Sequence, residues 1–168
     1  MNNLGNGKFE LKVLPIEAQF SAVNGILMQD FDADGHLDVL IVGNNYGNEV
    51  SMGRYDASNG LLLKGNGKGD FKSSKNTGFY AEQDTKAMVL SLSANQEVEI
   101  IVSQNRSPAK FFKTSLNSQA VPDKLKKGYT YTYKGLKNKQ ELYYGSGYLS
   151  QSLYRCFYPK GATGIQIF

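Results

Sequence analysis

Four aspartates crowd into the nine residues DFDADGHLD, at Asp30, Asp32, Asp34 and Asp38, around the single glycine Gly35. Charges that close repel by roughly 1 kcal/mol per pair in water and several times that near protein. The spacing is unfavourable unless something positive sits among them. If Gly35 supplies the positive φ that reverses the chain, the four carboxylates can converge on one point and the His36 carbonyl can turn inward with them. Such a cage offers only oxygens, the donor set of a hard cation. Ca2+ takes six to eight oxygens with flexible geometry, and it is expected here ahead of Mg2+ or Mn2+.

An EF-hand would need a bidentate glutamate at the twelfth loop position, and counting from Asp30 that position is Ile41. The flanks, GILM and VLIV, read as strands, whereas an EF-hand loop lies between helices. The reading is therefore a strand-to-strand hairpin closed by Asp38, held against the plainer alternative of an acidic turn rich in Asp and Gly.

The elements that must position this loop are short apolar runs separated by glycine and asparagine clusters, with no segment of helical length and period. With 18 glycines, 11 tyrosines and 9 phenylalanines in 168 residues, the composition points to an all-β chain. An internal repeat sharpens this. Residues 25–45, GILMQDFDADGHLDVLIVGNN, align without a gap on residues 86–106, KAMVLSLSANQEVEIIVSQNR, at a constant offset of 61. The alignment pairs Asn44 with Asn105, and a second echo sets GNGKF at 5–9 against GNGKGDF at 65–71. In the second copy Ser91, Ser93, Asn95 and Glu99 stand where the first has its aspartates, and Gln96 replaces Gly35. That loss argues for an ion that staples one hairpin and against a catalytic centre shared by both units. Residues 46–59 lengthen the repeat beyond a usual blade and are expected to form an excursion at its rim.

After Thr114 the pattern changes. Residues 1–100 carry 8 Lys and Arg against 13 Asp and Glu, and residues 101–168 carry 11 against 2. The simplest account is two modules with different surfaces. Tyr129, Tyr131 and Tyr133 alternate along a strand among Lys124, Lys126, Lys127, Lys134, Lys137 and Lys139. That pattern suits either a half-buried strand or a surface of cations and rings for nucleic acid, and the first is preferred. Tyr143, Tyr144 and Tyr148 could line a sugar-binding surface. The lone Cys156 reads as a buried structural thiol and the lone His36 as a loop residue, so no catalytic set assembles. No apolar run approaches the roughly 18 residues of a membrane span, and the start of the chain lacks signal-peptide character.

DFDADGHLDVLIVGN, with a glycine turn before phenylalanine, resembles the FG-GAP/VCBS repeat of integrin-like β-propellers across residues 5–114. GRYDASNGLLLKGNGKGDF and ELYYGSGYLSQSLYR (141–155) resemble the C-terminal part of the ASPIC/UnbV type of these proteins, common in Bacteroidota. The resemblance implies antiparallel propeller-type blades in an incomplete propeller: two blade repeats over 1–114, with cores at 25–85 and 86–114, then a small C-terminal β module over 115–168. It also implies calcium ligands at Asp30, Asp32, Asp34, the His36 carbonyl and Asp38, in an extracytoplasmic or cell-surface protein. Because a closed propeller needs about four to eight blades, the chain is expected to be part of a longer one, able to self-associate through open blade edges. The expected function is non-enzymatic adhesion or binding of a protein or glycan ligand, without nucleic acid. The alternative is an accessory part of a polysaccharide-acting enzyme.

Overall fold

The computed structural model describes residues 1–122, 126–147 and 150–168. Lys124 and Tyr148, named above, lie outside the described residues. Among these there is no α-helix, and every strand pairing is antiparallel. An isolated hairpin, β1 (Asn2–Gly5) with β2 (Lys8–Glu10), comes first. Then follow a four-stranded meander of β3 (Gly25–Gln29), β4 (Asp38–Val42), β5 (Leu61–Gly65) and β6 (Phe71–Ser74), and a three-stranded meander of β7 (Thr85–Leu92), β8 (Val98–Gln104) and β9 (Ser107–Lys113). Downstream, β10 (Leu116–Ala120) pairs with β13 (Arg155–Pro159), while β11 (Gly128–Tyr133) lies between β12 (Leu136–Glu141) and β14 (Thr163–Ile167). All these sheets are open.

Period-two alternation explains the main core. In β3, Leu27 points inward while Ile26 and Met28 stay exposed. In β7 and β8, Met88, Leu90, Val98, Ile100 and Val102 join Leu40, Val42 and Leu62 in one cluster between the two meanders. Leu116 and Phe157 enter the same cluster, so the segment after Thr114 helps to build this core as well as its own. A second cluster gathers Tyr129, Tyr131, Cys156 and Tyr158.

Both members of the sequence repeat are hairpins, but they are not in the same register. In the first, Gln29 lies opposite Asp38. An offset of 61 carried through both strands would set Leu90 opposite Glu99, whereas Leu90 faces Ile100 and Ser91 faces Glu99. A one-residue slip exchanges the two faces of a strand. Asp38 is buried, while Glu99 lies on the opposite side from the buried Val98 and Ile100, across from Lys113. The resemblance of Glu99 to Asp38 in the alignment is thus not a spatial equivalence. The pairing also runs on to Leu92 and Val98, which leaves a tighter loop whose Glu97 N–H is held by the Ser93 hydroxyl at 3.2 Å.

Asn44 and Asn105, which the repeat pairs, both tie strand ends. The Asn44 side chain, fully buried, donates to the carbonyls of Ser58, Glu82 and Gln83. It thereby anchors the end of the 46–59 excursion, which is otherwise largely exposed. Asn105 donates to the Asp84 carboxylate at 3.0 Å.

Gly65 ends β5 beneath the aspartate loop, where a Cβ would collide with the Leu37 carbonyl oxygen. Gly65→Ala is expected to destabilise the protein by about 1–3 kcal/mol, because backbone must shift to admit the methyl group. At Gly47 a Cβ would meet only Asn45 Oδ1, at 3.6 Å, so Gly47→Ala should stay within about 0.5 kcal/mol of the parent. Urea unfolding of the two variants checks the contrast.

Candidate metal centre

The aspartate loop runs from the end of β3 to the start of β4, and its two terminal aspartates, Asp30 and Asp38, are fully buried. Their four carboxylate oxygens all accept backbone N–H groups. Asp30 takes Asp34 N at 3.0 Å and Gly35 N at 2.9 Å. Asp38 takes Phe31 N at 3.0 Å and Asp32 N at 3.4 Å on one oxygen, and Gly65 N at 3.0 Å on the other. The loop is folded around its own acids. Gly35 at φ +103° makes the reversal, in a region closed to most side chains.

One oxygen each from Asp30, Asp32 and Asp38 lies within 4.8 Å of the others. Asp34 is not part of that group. Its carboxylate accepts the His36 N–H at 2.7 Å and so stiffens the outer turn. The His36 imidazole is half-buried against Gly67. Of the five positions in the expected ligand set, the structure therefore brings three carboxylates together and gives Asp34 a different partner.

Burial pushes the Asp38 carboxyl up to about 6, with the Asp32 charge adding to the rise and the N–H groups of Gly65, Phe31 and Asp32 opposing it. Asp30 is also raised, again mainly by burial, with the charges of Asp34 and Asp32 contributing. One cation already faces the loop: Lys64 Nζ sits 2.8 Å from Asp32 Oδ2, and this contact raises the lysine above its ordinary value. A single ammonium against four aspartates leaves the cluster short of positive charge. An acceptor-only oxygen set with lone pairs to spare suits a hard divalent cation.

Several residues around the loop gave no signal in the sequence as parts of a site. Lys64 and Gly65 come from β5. Asn138 and Gln140 come from β12, where Asn138 Nδ2 donates to Gly35 O at 3.1 Å and Gln140 exchanges hydrogen bonds of 3.0 and 2.9 Å with Gln29. The alternation of Asn138 and Gln140 with Lys137 and Lys139 is visible in the sequence, but what faces it is not.

The other candidate groups fall elsewhere. Tyr129 and Tyr131 are buried in the second cluster, so this strand presents no row of rings among its lysines. Cys156 is buried, and burial pushes its thiol up to about 11 against the opposing charge of Arg155; it is a packed and unactivated thiol. Tyr143 and Tyr144 are exposed, with Tyr144 stacked on Tyr154 at 4.7 Å between ring centroids. Tyr143 borders an open cavity of about 430 Å3 whose wall also includes Ile26, Met28, Gln151 and Arg155.

The class defined at this level is an all-β protein of open antiparallel sheets with an acidic hairpin cluster. Comparison with protein-family models, curated proteins and solved structures finds no match to this chain. No helix among the described residues is long and apolar enough to cross a membrane.

A carboxyl whose folded pKa is raised favours its protonated form in the folded state. Its stabilising share grows as pH falls through about 6 towards the unfolded value of 3.8 and is absent at high pH. Asp70, Glu17 and Asp84 are shifted downward and lose stability only below the ordinary carboxylate range. In chelator, lowering pH from 7.5 to 5.5 should therefore stabilise the protein by on the order of 1 kcal/mol, a melting shift of about 2–4 °C. Thermal melts check this, and Asp38→Asn should remove most of the shift.

Proposed function

We propose that this chain is a calcium-stabilised, non-enzymatic β-repeat module that binds a protein or glycan ligand, of the FG-GAP/VCBS kind that its aspartate loop resembles. The observation that carries the reading is the buried pair Asp30 and Asp38, converging with Asp32 at a hairpin mouth. Buried carboxylates with raised pKa values are unfavourable as free anions, and a divalent cation would remove the conflict while leaving the backbone hydrogen bonds in place. Ca2+ suits the oxygen-only donors and the flexible loop better than Mg2+, which demands near-ideal octahedral geometry.

Within this reading the ion is a staple. It belongs to the hairpin that carries the acids, and the second hairpin closes on Ser93 instead. Ligand contact is assigned to the cavity beside Tyr143, where exposed Ile26 and Met28 give an apolar floor and Gln151 and Arg155 give polar edges. An apolar surface with a few placed polar groups and an aromatic face is what sugar rings require. The parent protein is taken to be extracytoplasmic, as the family resemblance implies.

Two measurements test the two halves. Calcium at about 100 times its Kd should stabilise the protein by about 2.7 kcal/mol, a melting rise of roughly 5–10 °C at this size. The double variant Asp30→Ala, Asp34→Ala should lose that rise, and an unchanged melting temperature with unchanged calcium dependence would end the metal reading. For the ligand half, a glycan array probed with the folded protein should give signals that Tyr143→Ala weakens. Silence from an intact protein would remove the glycan assignment.

A further inference from the structure

We propose that the cation site does not end at the aspartate loop: the Tyr131 hydroxyl on β11 belongs to the ion's hydrogen-bonded surroundings, and the ion thereby couples the loop to the C-terminal sheet. This rests on the reading of the loop as a divalent-cation site and adds a residue and a consequence to it.

Tyr131 has no exposed surface, and its hydroxyl has no hydrogen-bond partner. Tyr131 stands directly opposite Asn138 on β12, so its side chain lies on the sheet face from which Asn138 reaches Gly35 O, and the Asp30 charge adds to burial, the larger cause, in raising the phenol. Two strand positions away, Tyr129 shows how this core treats a phenol in ordinary circumstances. Its hydroxyl contacts Gln140 Oε1 at 3.1 Å, donates to Phe157 O at 2.7 Å and accepts from Phe157 N at 3.0 Å. A fully buried polar group without a partner is uncommon and calls for a cause.

The seam between loop and sheet supplies one. Besides the Asn138 bond to Gly35 O and the paired amides of Gln29 and Gln140, Leu136 packs so closely on Gly35 that a Cβ there would lie 2.9 Å from Leu136 Cδ1. The sheet is seated on the very turn that folds around Asp30. Three carboxylates do not fill the six to eight positions of a Ca2+ ion, so some are taken by water, and each bound water needs acceptors. A phenol oxygen has lone pairs to receive such a water and a proton to give to a carboxylate. Asp30 retains lone pairs beyond the two N–H groups that it already accepts. Tyr131 is thus a positioning residue for the ion's shell, contributed by the C-terminal sheet.

Calorimetric titration of the full chain with CaCl2 tests this, using Tyr131→Phe, Asn138→Ala and, as a control from the same cluster, Tyr158→Phe. Removing one neutral hydrogen-bonding group should weaken calcium binding about 3- to 10-fold in Tyr131→Phe, and Tyr158→Phe should bind like the parent. Hydrogen exchange should show the amides of 128–133 and 136–141 gaining protection when calcium is added to the parent protein. Near-UV circular dichroism checks that Tyr131→Phe is folded; should it not be, weaker binding by Asn138→Ala together with the exchange result carries the case. Parental affinity in folded Tyr131→Phe, or strands β11 and β12 indifferent to calcium, overturns this proposal and leaves the loop reading standing. A parent protein that binds no calcium overturns both.

Discussion

The structure turns on one constraint: two carboxylates, Asp30 and Asp38, are buried at the mouth of a hairpin with every oxygen turned to backbone N–H groups. Burying an ionised group costs far more than burying an apolar one unless it is paired and hydrogen-bonded. That demand shapes what surrounds it. The loop must curl tightly enough for Asp34 and Gly35 to reach Asp30, which fixes Gly35 at positive φ. The third strand must come close enough for Gly65 to donate to Asp38, which leaves no room for a side chain against the Leu37 carbonyl. Lys64, one residue before, then meets Asp32.

The second hairpin shows the same strands relieved of that demand. Val98 occupies the buried start of β8 where β4 begins with Asp38. An apolar residue can be buried without partners, so the pairing runs on to Leu92 and Val98 and the loop tightens around Ser93. Acidic loop and wide hairpin come together in one copy and are absent together in the other.

The sequence made part of this legible. Short apolar runs between glycine and asparagine clusters marked the strands, and the spacing of the aspartates around Gly35 marked a hairpin loop on which carboxylates converge. The register slip was hidden, because residues 98–102 contain the adjacent apolar pair Ile100 and Ile101, and a strand apolar at neighbouring positions satisfies two registers equally. Spacing alone does not say whether a carboxylate turns towards its neighbours or towards the next N–H, so the bond from His36 N–H to Asp34 was not visible in it. The partners of the loop lie 27 residues away at Gly65 and 103 away at Asn138, separations at which local pattern carries no information about contact. The tyrosine strand was open between a core face and a stacking face for the converse reason: alternation gives two faces but does not say which is covered.

The same alternation corrects an inference that the charge distribution invites. An acidic first part and a basic last part suggest that the lysines of the tail neutralise the aspartates. On β12, however, Lys137 and Lys139 are exposed, while the half-buried positions that alternate with them, Asn138 and Gln140, carry the bonds to Gly35 and Gln29. Neutral amides meet the loop; the cations face water, where they also guard an edge strand from pairing with other chains. The only lysine set against the carboxylates among the described residues is Lys64, from within the repeat itself. A neutral lid over an acidic cluster covers it without satisfying its charge, and so keeps the preference of Asp30 and Asp38 for a proton or a cation instead of cancelling it. The contacts that bind the two parts into one structure are instead the tail's amides at the loop and its Leu116 and Phe157 in the shared core.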